Sequence, residues 1–403
     1  MSEGRPWAPI ALGTGCLLAV ALAVGLTWYA DETATSPITP DGQAEDIYRW
    51  AVIAAFVLYV LGTWAVRTRG ARLALVVVVA VAIQVAPLAA PVLFSTDVYT
   101  YWDYGRIGAV HGGNPYADPP SDWPGDPAYT LMGAQWHDTT SAYGPAWTLT
   151  SEGVAAIVGK SPDAAGWGFK AIGAAGALAL VAAVAAAAPR RAFAAAFVGW
   201  NPVVALHFAG GGHNDALMMA LPIAGLALAA VGRRELGGAA WAVGIAVKWL
   251  PLLFLPLVWA RDRLRFGWVG FAGTAALLAA IAFAWYGVDW INAASPISSQ
   301  LQRASSTSVP FQIEDLLGVP QRRVTQGLTL LFAIAYVWLL RLAWRTGRAR
   351  LGLTAGLFCL ALSWLPPWYV AWPLSLAAIE EDRAARWLAL ALSAWLVRDA
   401  VAF

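Results

Sequence analysis

The chain has 403 residues, 59% of them hydrophobic and only 12% charged, with 23 Trp and a mean hydropathy of +0.59. A soluble domain carries about twice that share of charge, so the composition excludes an ordinary soluble enzyme and specifies an all-α polytopic membrane protein, because long apolar runs satisfy their backbone groups in lipid as helices. The net charge of +2 says nothing about partners, and no nucleic-acid partner is expected; Cys16 and Cys359 lie in apolar runs, where a thiol packs as a small hydrophobe.

In chain order, the first apolar span covers 10–30 and is expected to remain as an anchor, since no small-residue cleavage site precedes Asp31. Asp31 to Asp46 holds five acids and no Lys or Arg, whereas Arg67, Arg69 and Arg72 flank the next turn. The positive-inside rule places the first segment outside and the second in the cytoplasm, together with Arg190-Arg191, Arg233-Arg234, Arg261 to Arg265 and Arg345 to Arg350. The predicted spans are 10–30, 49–66, 72–94, 167–188, 192–208 and 214–231, then 266–286, 326–344, 351–365, 367–380 and 384–402, eleven in all. They form one integral membrane domain: two N-terminal spans in 1–71, a main module in 72–380 with external loops at 95–166 and 287–325, and a last span in 381–403.

Two segments depart from simple alternation. Tyr143 to Gly159 carries Pro145, Glu152 and several hydroxyls, and a crossing there would put Arg190-Arg191 outside, so an interfacial helix on the outer leaflet is expected. Too few residues separate Arg234 from Arg261 for two crossings at 1.5 Å per residue. A re-entrant hairpin over 237–260 is expected instead, broken at Lys248-Trp249-Leu250-Pro251, where proline removes a helix hydrogen bond and a lysine sits at membrane depth.

This topology collects the unusual polar residues on the outer side. Ser95-Thr96-Asp97 opens the first external loop, followed by Tyr101, Asp103 and Arg106. An ionisable group at the bilayer edge is a functional-site candidate, and Asp97 can serve either as a general base or as a helix cap. Asp103 lies six residues on, about 240° around a helix, and is expected to cap, to pair with Arg106 or to orient the loop. Tyr143, Trp368, Tyr369 and Trp372 offer aromatic faces for a sugar, although Trp and Tyr belts also mark membrane interfaces. In Gly210-Gly211-Gly212-His213-Asn214-Asp215, glycines permit close backbone approach and a helix start favours an anion such as phosphate, or else Asn214 or Asp215 simply caps that helix. Lys248 can neutralise a phosphate at depth or snorkel to the interface, and Arg303 and His137 are further external donors. The four histidines are scattered without the spacing of a metal site, and no phosphate loop or dinucleotide fingerprint is present.

Taken together and in this order, Thr96-Asp97-Val98-Tyr99, Gly113-Asn114-Pro115-Tyr116, Tyr143-Gly144-Pro145, Asn201-Pro202, Gly211-Gly212-His213-Asn214-Asp215, Val247-Lys248-Trp249-Leu250-Pro251 and Pro367-Trp368-Tyr369-Val370-Ala371-Trp372 resemble the actinobacterial polyprenyl-phosphomannose-dependent α-1,6-mannosyltransferases, members of the GT-C superfamily. The resemblance runs from about residue 72 to 380. It implies a GT-C-like helix bundle in the plasma membrane with its site facing outward and Asp97 as catalytic base. It also implies a polyprenyl-phosphate sugar donor, a glycan or glycolipid acceptor, and inversion at the anomeric carbon. Substrate-binding roles would then fall to Asp103, Tyr101, Arg106, Tyr143, His213, Asn214, Asp215, Lys248, Arg303, Trp368, Tyr369 and Trp372. No cofactor is expected, because a lipid phosphate leaves without metal assistance, although a divalent cation is compatible with the sequence. The rival reading is a flippase for lipid-linked sugars, which shares broken helices and buried charge but needs polar groups on both faces. Another lipid-borne sugar, arabinofuranose or glucose, is the alternative donor.

Overall fold

A computed structural model describes residues 7–29, 42–262, 266–293 and 303–400. The acidic stretch 31–41, Arg263 and Arg265, and residues 294–302 of the expected second external loop lie outside the described residues. Every regular element among the described residues is helical.

Of the first three helices, α1 (Ala8–Leu26) packs on both α2 (Gly42–Arg69) and α3 (Leu73–Val85), and α2 and α3 pack against α7 (Arg191–Gly199). Trp200 locks this corner: its ring lies where a side chain at Gly13 or Gly62 would have to go, and its indole N–H donates to the Val76 carbonyl at 3.1 Å. The third span, expected over 72–94, ends as regular α-helix at Val85 and continues only as a 3-10 turn, Ala86–Ala89. Pro87 and Pro91 supply no amide proton, so the ladder cannot continue. The freed carbonyls of Leu88, Ala90 and Pro91 instead accept from the Lys170 ammonium, a buried cation on α6 (Pro162–Ala187).

The span expected over 192–208 is also interrupted. It bends by 56° between α7 and the segment Pro202–Gly210, which is a short helix, α8 (Pro202–Ala205), followed by a π-helical turn, Leu206–Gly210. Asn201 makes the bend stable by accepting the Val203 and Val204 amides and donating to Ser393 Oγ at 2.7 Å. Next come α9 (Asp215–Ala230), α10 (Arg234–Val247), a break at Lys248 and Trp249, a 3-10 turn at Leu250–Leu253, and α11 (Leu255–Asp262). The break falls where the lysine and proline place it. The rest comprises α12 (Trp268–Tyr286), α13 (Val309–Leu317), α14 (Gln321–Thr346), α15 (Leu351–Ala361), a 3-10 turn at Pro367–Val370, α16 (Ala371–Ile379) and α17 (Arg383–Ala400).

Burial sorts these helices. Residues Phe193–Val198 of α7 and Ala371–Ala378 of α16 are buried throughout and form the middle of the molecule. By contrast, α12 buries only Ala282 and Tyr286, and α14 only Leu339 and Ala343, so their apolar faces point away from the protein, as lipid-facing helices do. Five described helices are long and apolar enough to cross a membrane, or six if the bent pair is one span. The other expected spans correspond to shorter or interrupted helices such as α3, α9 and α15.

Two helices of the 95–166 segment, α4 (Asp97–Ala109) and α5 (Pro145–Val158), pack against each other. Gly105 lets them touch, since a Cβ there would come within 2.2 Å of the Ser151 carbonyl oxygen. On its other side α5 is tied to α12: Glu152 accepts from Trp285 Nε1 at 2.9 Å and from the Tyr286 hydroxyl at 2.7 Å. The Asn114 amide donates to the Tyr286 carbonyl, and the Tyr116 hydroxyl donates to the Tyr143 carbonyl, so the Gly113–Tyr116 motif fastens the loop over the helices.

Candidate active site

Beneath this loop lies a cavity of about 830 Å³. Its walls come from Phe94–Asp97, from residues 133–143, from the break at Lys248–Leu250, from Ser305–Thr307, and from the stretch that includes Pro366–Tyr369 and Trp372. The lining is graded. Gln135, Trp136 and Ser305–Thr307 are polar or amphipathic, whereas Leu250, Leu253, Phe358 and Leu362 form an apolar flank. Asp97 and Lys248 are the charged side chains on the wall.

Local backbone geometry aims Asp97. Phe94 has φ 61°, a left-handed conformation that a bulky side chain rarely adopts, and Leu93 donates its amide to the Gly210 carbonyl at 3.0 Å. The chain therefore turns sharply before α4, and Asp97 becomes its first residue, with its own amide donating to Ser95 Oγ at 3.1 Å. His213 Nδ1 lies 3.4 Å from Asp97 Oδ2, a close polar contact that falls short of an aligned hydrogen bond. His213 is fully buried, with its ring stacked on Trp368 at 3.5 Å between centroids. Burial pushes the Asp97 carboxyl up, but His213, the Ser95 hydroxyl and the Lys248 ammonium outweigh it and hold the group below its ordinary value. At neutral pH Asp97 is a carboxylate.

Lys248 is held by a second acid. Its Nζ sits 2.9 Å from both carboxylate oxygens of Asp215, a completely buried residue that opens α9 and also accepts from Trp372 Nε1 at 2.9 Å. The ammonium lies 5.1 Å from the Tyr369 ring centroid and 6.0 Å from that of Tyr143, within range of cation–π attraction. Tyr369 in turn stacks on Trp372 at 3.7 Å.

Of the side chains singled out in the sequence, Asp97, Tyr143, Lys248, Trp368, Tyr369 and Trp372 line the cavity. His213 and Asp215 stand behind the wall and reach it through Asp97 and Lys248. Asn214 is buried beside them, and neither its amide nitrogen nor its oxygen finds a partner among the described residues. Arg303 lies over the Trp136 ring at 3.9 Å and donates to the Gln135 carbonyl, so it backs the polar rim.

Three expected contacts are displaced. Tyr101 is buried among Tyr143, Trp147 and Phe169 rather than open to the cavity, because the inner face of α4 packs on α5 and α6. Arg106 is buried, its Nε shared between the two carboxylate oxygens of Asp126 at 2.7 and 2.9 Å and its Nη1 donating to the Gly159 carbonyl. Asp103 is buried near this pair, and burial together with the Asp126 charge raises its pKa to about 7 against the opposing pull of Arg106. Both face the loop interior: at about 100° per residue, Asp103 lies about 120° and Arg106 about 180° around α4 from Asp97.

His207, Lys170 and Trp136 stand in the sequence without a motif that marks them. His207 is buried with both ring nitrogens unpaired, between Phe94 and Trp368; the signal for Lys170 was a lone cation within an apolar helix. Among the described residues, no group of three His, Cys, Asp or Glu is disposed to hold a metal ion.

A carboxylate and a lysine on the wall of an aromatic cavity, inside an all-helical bundle with helices of membrane-spanning length, mark a membrane protein with charged groups set beside apolar surface. Comparison with known proteins resolves the class. Residues 10–261 match the family model described as alpha-(1->6)-mannopyranosyltransferase, N-terminal domain. The chain is 30% identical over 354 residues to alpha-(1->6)-mannopyranosyltransferase A of Mycobacterium tuberculosis, covering 78% of this chain and 67% of the relative. It is also 30% identical over 181 residues to the enzyme of the same name from Corynebacterium glutamicum, covering 43% of this chain and 36% of the relative. No solved structure matches the chain. The chain belongs to the alpha-(1->6)-mannopyranosyltransferase family, and is therefore a glycosyltransferase.

Proposed function

We propose that the protein transfers mannose from a polyprenyl-phosphate donor to a hydroxyl of a glycan or glycolipid acceptor, at the outer face of the plasma membrane, with inversion and with Asp97 as general base. The observation that carries this reading is the shared wall: a carboxylate and an ammonium flank one cavity whose lining changes from polar to apolar. Asp97 takes the proton of the acceptor hydroxyl as its oxygen bonds to the anomeric carbon. The bond from that carbon to the phosphate oxygen breaks, and its electron pair leaves with the polyprenyl phosphate. Two of the three Lys248 N–H groups are occupied by Asp215, which leaves one for the departing phosphate. Leu250, Leu253, Phe358 and Leu362 suit the start of the lipid chain, and Trp136, backed by Arg303, suits a sugar face at the rim. The leaving group already carries its charge on phosphate, so transfer is expected to proceed without a metal cofactor.

The test is Asp97→Asn, assayed in proteoliposomes with radiolabelled polyprenyl-phosphate mannose and an α-1,6-linked mannobiose acceptor. Removing a general base lowers turnover about 10²–10⁴-fold. Elongation at near-normal rate in the Asn variant would refute the base assignment, and movement of label between leaflets without elongation would favour a flippase.

A further inference from the structure

We infer that Gly211–Asp215 is a positioning unit and not a ligand cradle: His213 sets the Asp97 carboxylate and Asp215 sets the Lys248 ammonium. This rests on the reading of Asp97 and Lys248 as the reacting pair. A glycine-rich run leading to a helix start suggests an anion site, but the structure closes that site with the protein's own side chains. Asp215, the first residue of α9, places a carboxylate at that helix end, and both its oxygens face Lys248 at 2.9 Å. His213, two residues earlier, turns the other way and meets Asp97 at 3.4 Å. Both are fully buried, and neither lines the cavity.

The unit is braced from both sides. Gly212 has φ +70°, and a Cβ on it would meet Val98 Cγ1 at 2.4 Å, so the run is pressed against the start of α4, next to Asp97. From the opposite side, one 3-10 turn and the helix after it supply two tryptophans. Trp368 stacks on His213, and Trp372 donates to Asp215. Polar contacts built in this way fix the orientation of the group they touch, which is how a supporting residue acts on a catalytic one.

Two amide isosteres separate positioning from mere packing. In His213→Asn the side-chain nitrogen takes the place of Nδ1 and still reaches Asp97; in His213→Gln it takes the place of Nε2 and does not. Both lose the same ring stack on Trp368, so a purely structural role moves both alike. Positioning predicts that the Gln variant loses about 10²-fold in kcat while the Asn variant stays within about tenfold of wild type, with donor KM little changed in each. The acid limb of the kcat/KM profile should also move to higher pH in the Gln variant, because the group that favours the Asp97 carboxylate is gone. The other titratable groups facing Asp97 are Lys248, Tyr101, Tyr104, Tyr143 and Tyr369, and all are unchanged in both variants. Asp215→Asn should instead raise donor KM about tenfold and leave the acid limb in place. Equal losses in the two His213 variants, or a raised donor KM with kcat and the acid limb unmoved, would overturn the inference. If Asp97→Asn retains turnover, the base reading itself has failed; if that variant is inactive and the His213 pair behaves alike, only the positioning unit has failed.

Discussion

At the scale of residues, the two carboxylates of the α4 segment have opposite environments. Asp97 faces the cavity and is kept ionised by His213, whereas Asp103 is buried beside the Arg106–Asp126 pair with its pKa raised to about 7. Separation of the two was legible in the sequence from their spacing around a helix. The partner of Arg106 was not, because Asp126 lies in an irregular loop where no periodicity links it to α4. The raised Asp103 value fixes the sign of a stability effect. Its folded form binds the proton more tightly than the unfolded chain, whose carboxyl titrates near 3.9. The contribution is thus fully present below that value and is lost as pH rises towards about 7. Asp103→Asn should flatten the pH dependence of the thermal midpoint over that interval when compared with wild type in the same detergent. Parallel curves for the two proteins would show that Asp103 titrates as an ordinary carboxyl.

At the scale of elements, apolar runs revealed most helices, but not where they stop being regular. The break at Lys248 was readable because a cation and a proline interrupt an apolar stretch together. The bend at Asn201-Pro202 was not, since the residues around it are apolar on both sides and the decisive contact, Asn201 to Ser393, joins distant helices. The cavity depends on such junctions. Gly144 donates its amide to the Val247 carbonyl at 3.1 Å, and a Cβ on Gly144 would lie 2.1 Å from the Ala246 carbonyl oxygen. This is backbone against backbone, so neither side can yield by a rotamer change, and the contact sets Tyr143 beside Lys248. Gly144→Ala should push the start of α5 away from the end of α10. Transfer is expected to fall about 10²-fold, the scale set by an ångström of misplacement at a reacting centre, with a lower thermal midpoint. An Ala variant with wild-type kcat would mean that this junction does not set the distance across the cavity.

At the scale of the whole molecule, the proposed chemistry requires the cavity mouth and the basic clusters to lie on opposite faces of the membrane. The geometry of α14 permits a direct test. Its 26 residues span about 39 Å at 1.5 Å per residue, enough to cross the hydrocarbon core, and almost all of its surface is exposed. Ser306, at the cavity mouth, precedes α13 and α14, while Arg348 follows the end of α14; both side chains are exposed. The native thiols do not interfere, because Cys16 and Cys359 are buried. With an impermeant maleimide on intact cells, Ser306→Cys should label at once, whereas Arg348→Cys should label only after the membrane is opened. This pattern follows from positive charge being retained on the cytoplasmic side, and it would place the Asp97 carboxylate where a donor in the outer leaflet can reach it. The reverse pattern would put the cavity in the cytoplasm and require the donor to be loaded from the inner leaflet, leaving the arrangement of Asp97, His213, Asp215 and Lys248 intact but moving the reaction to the other face.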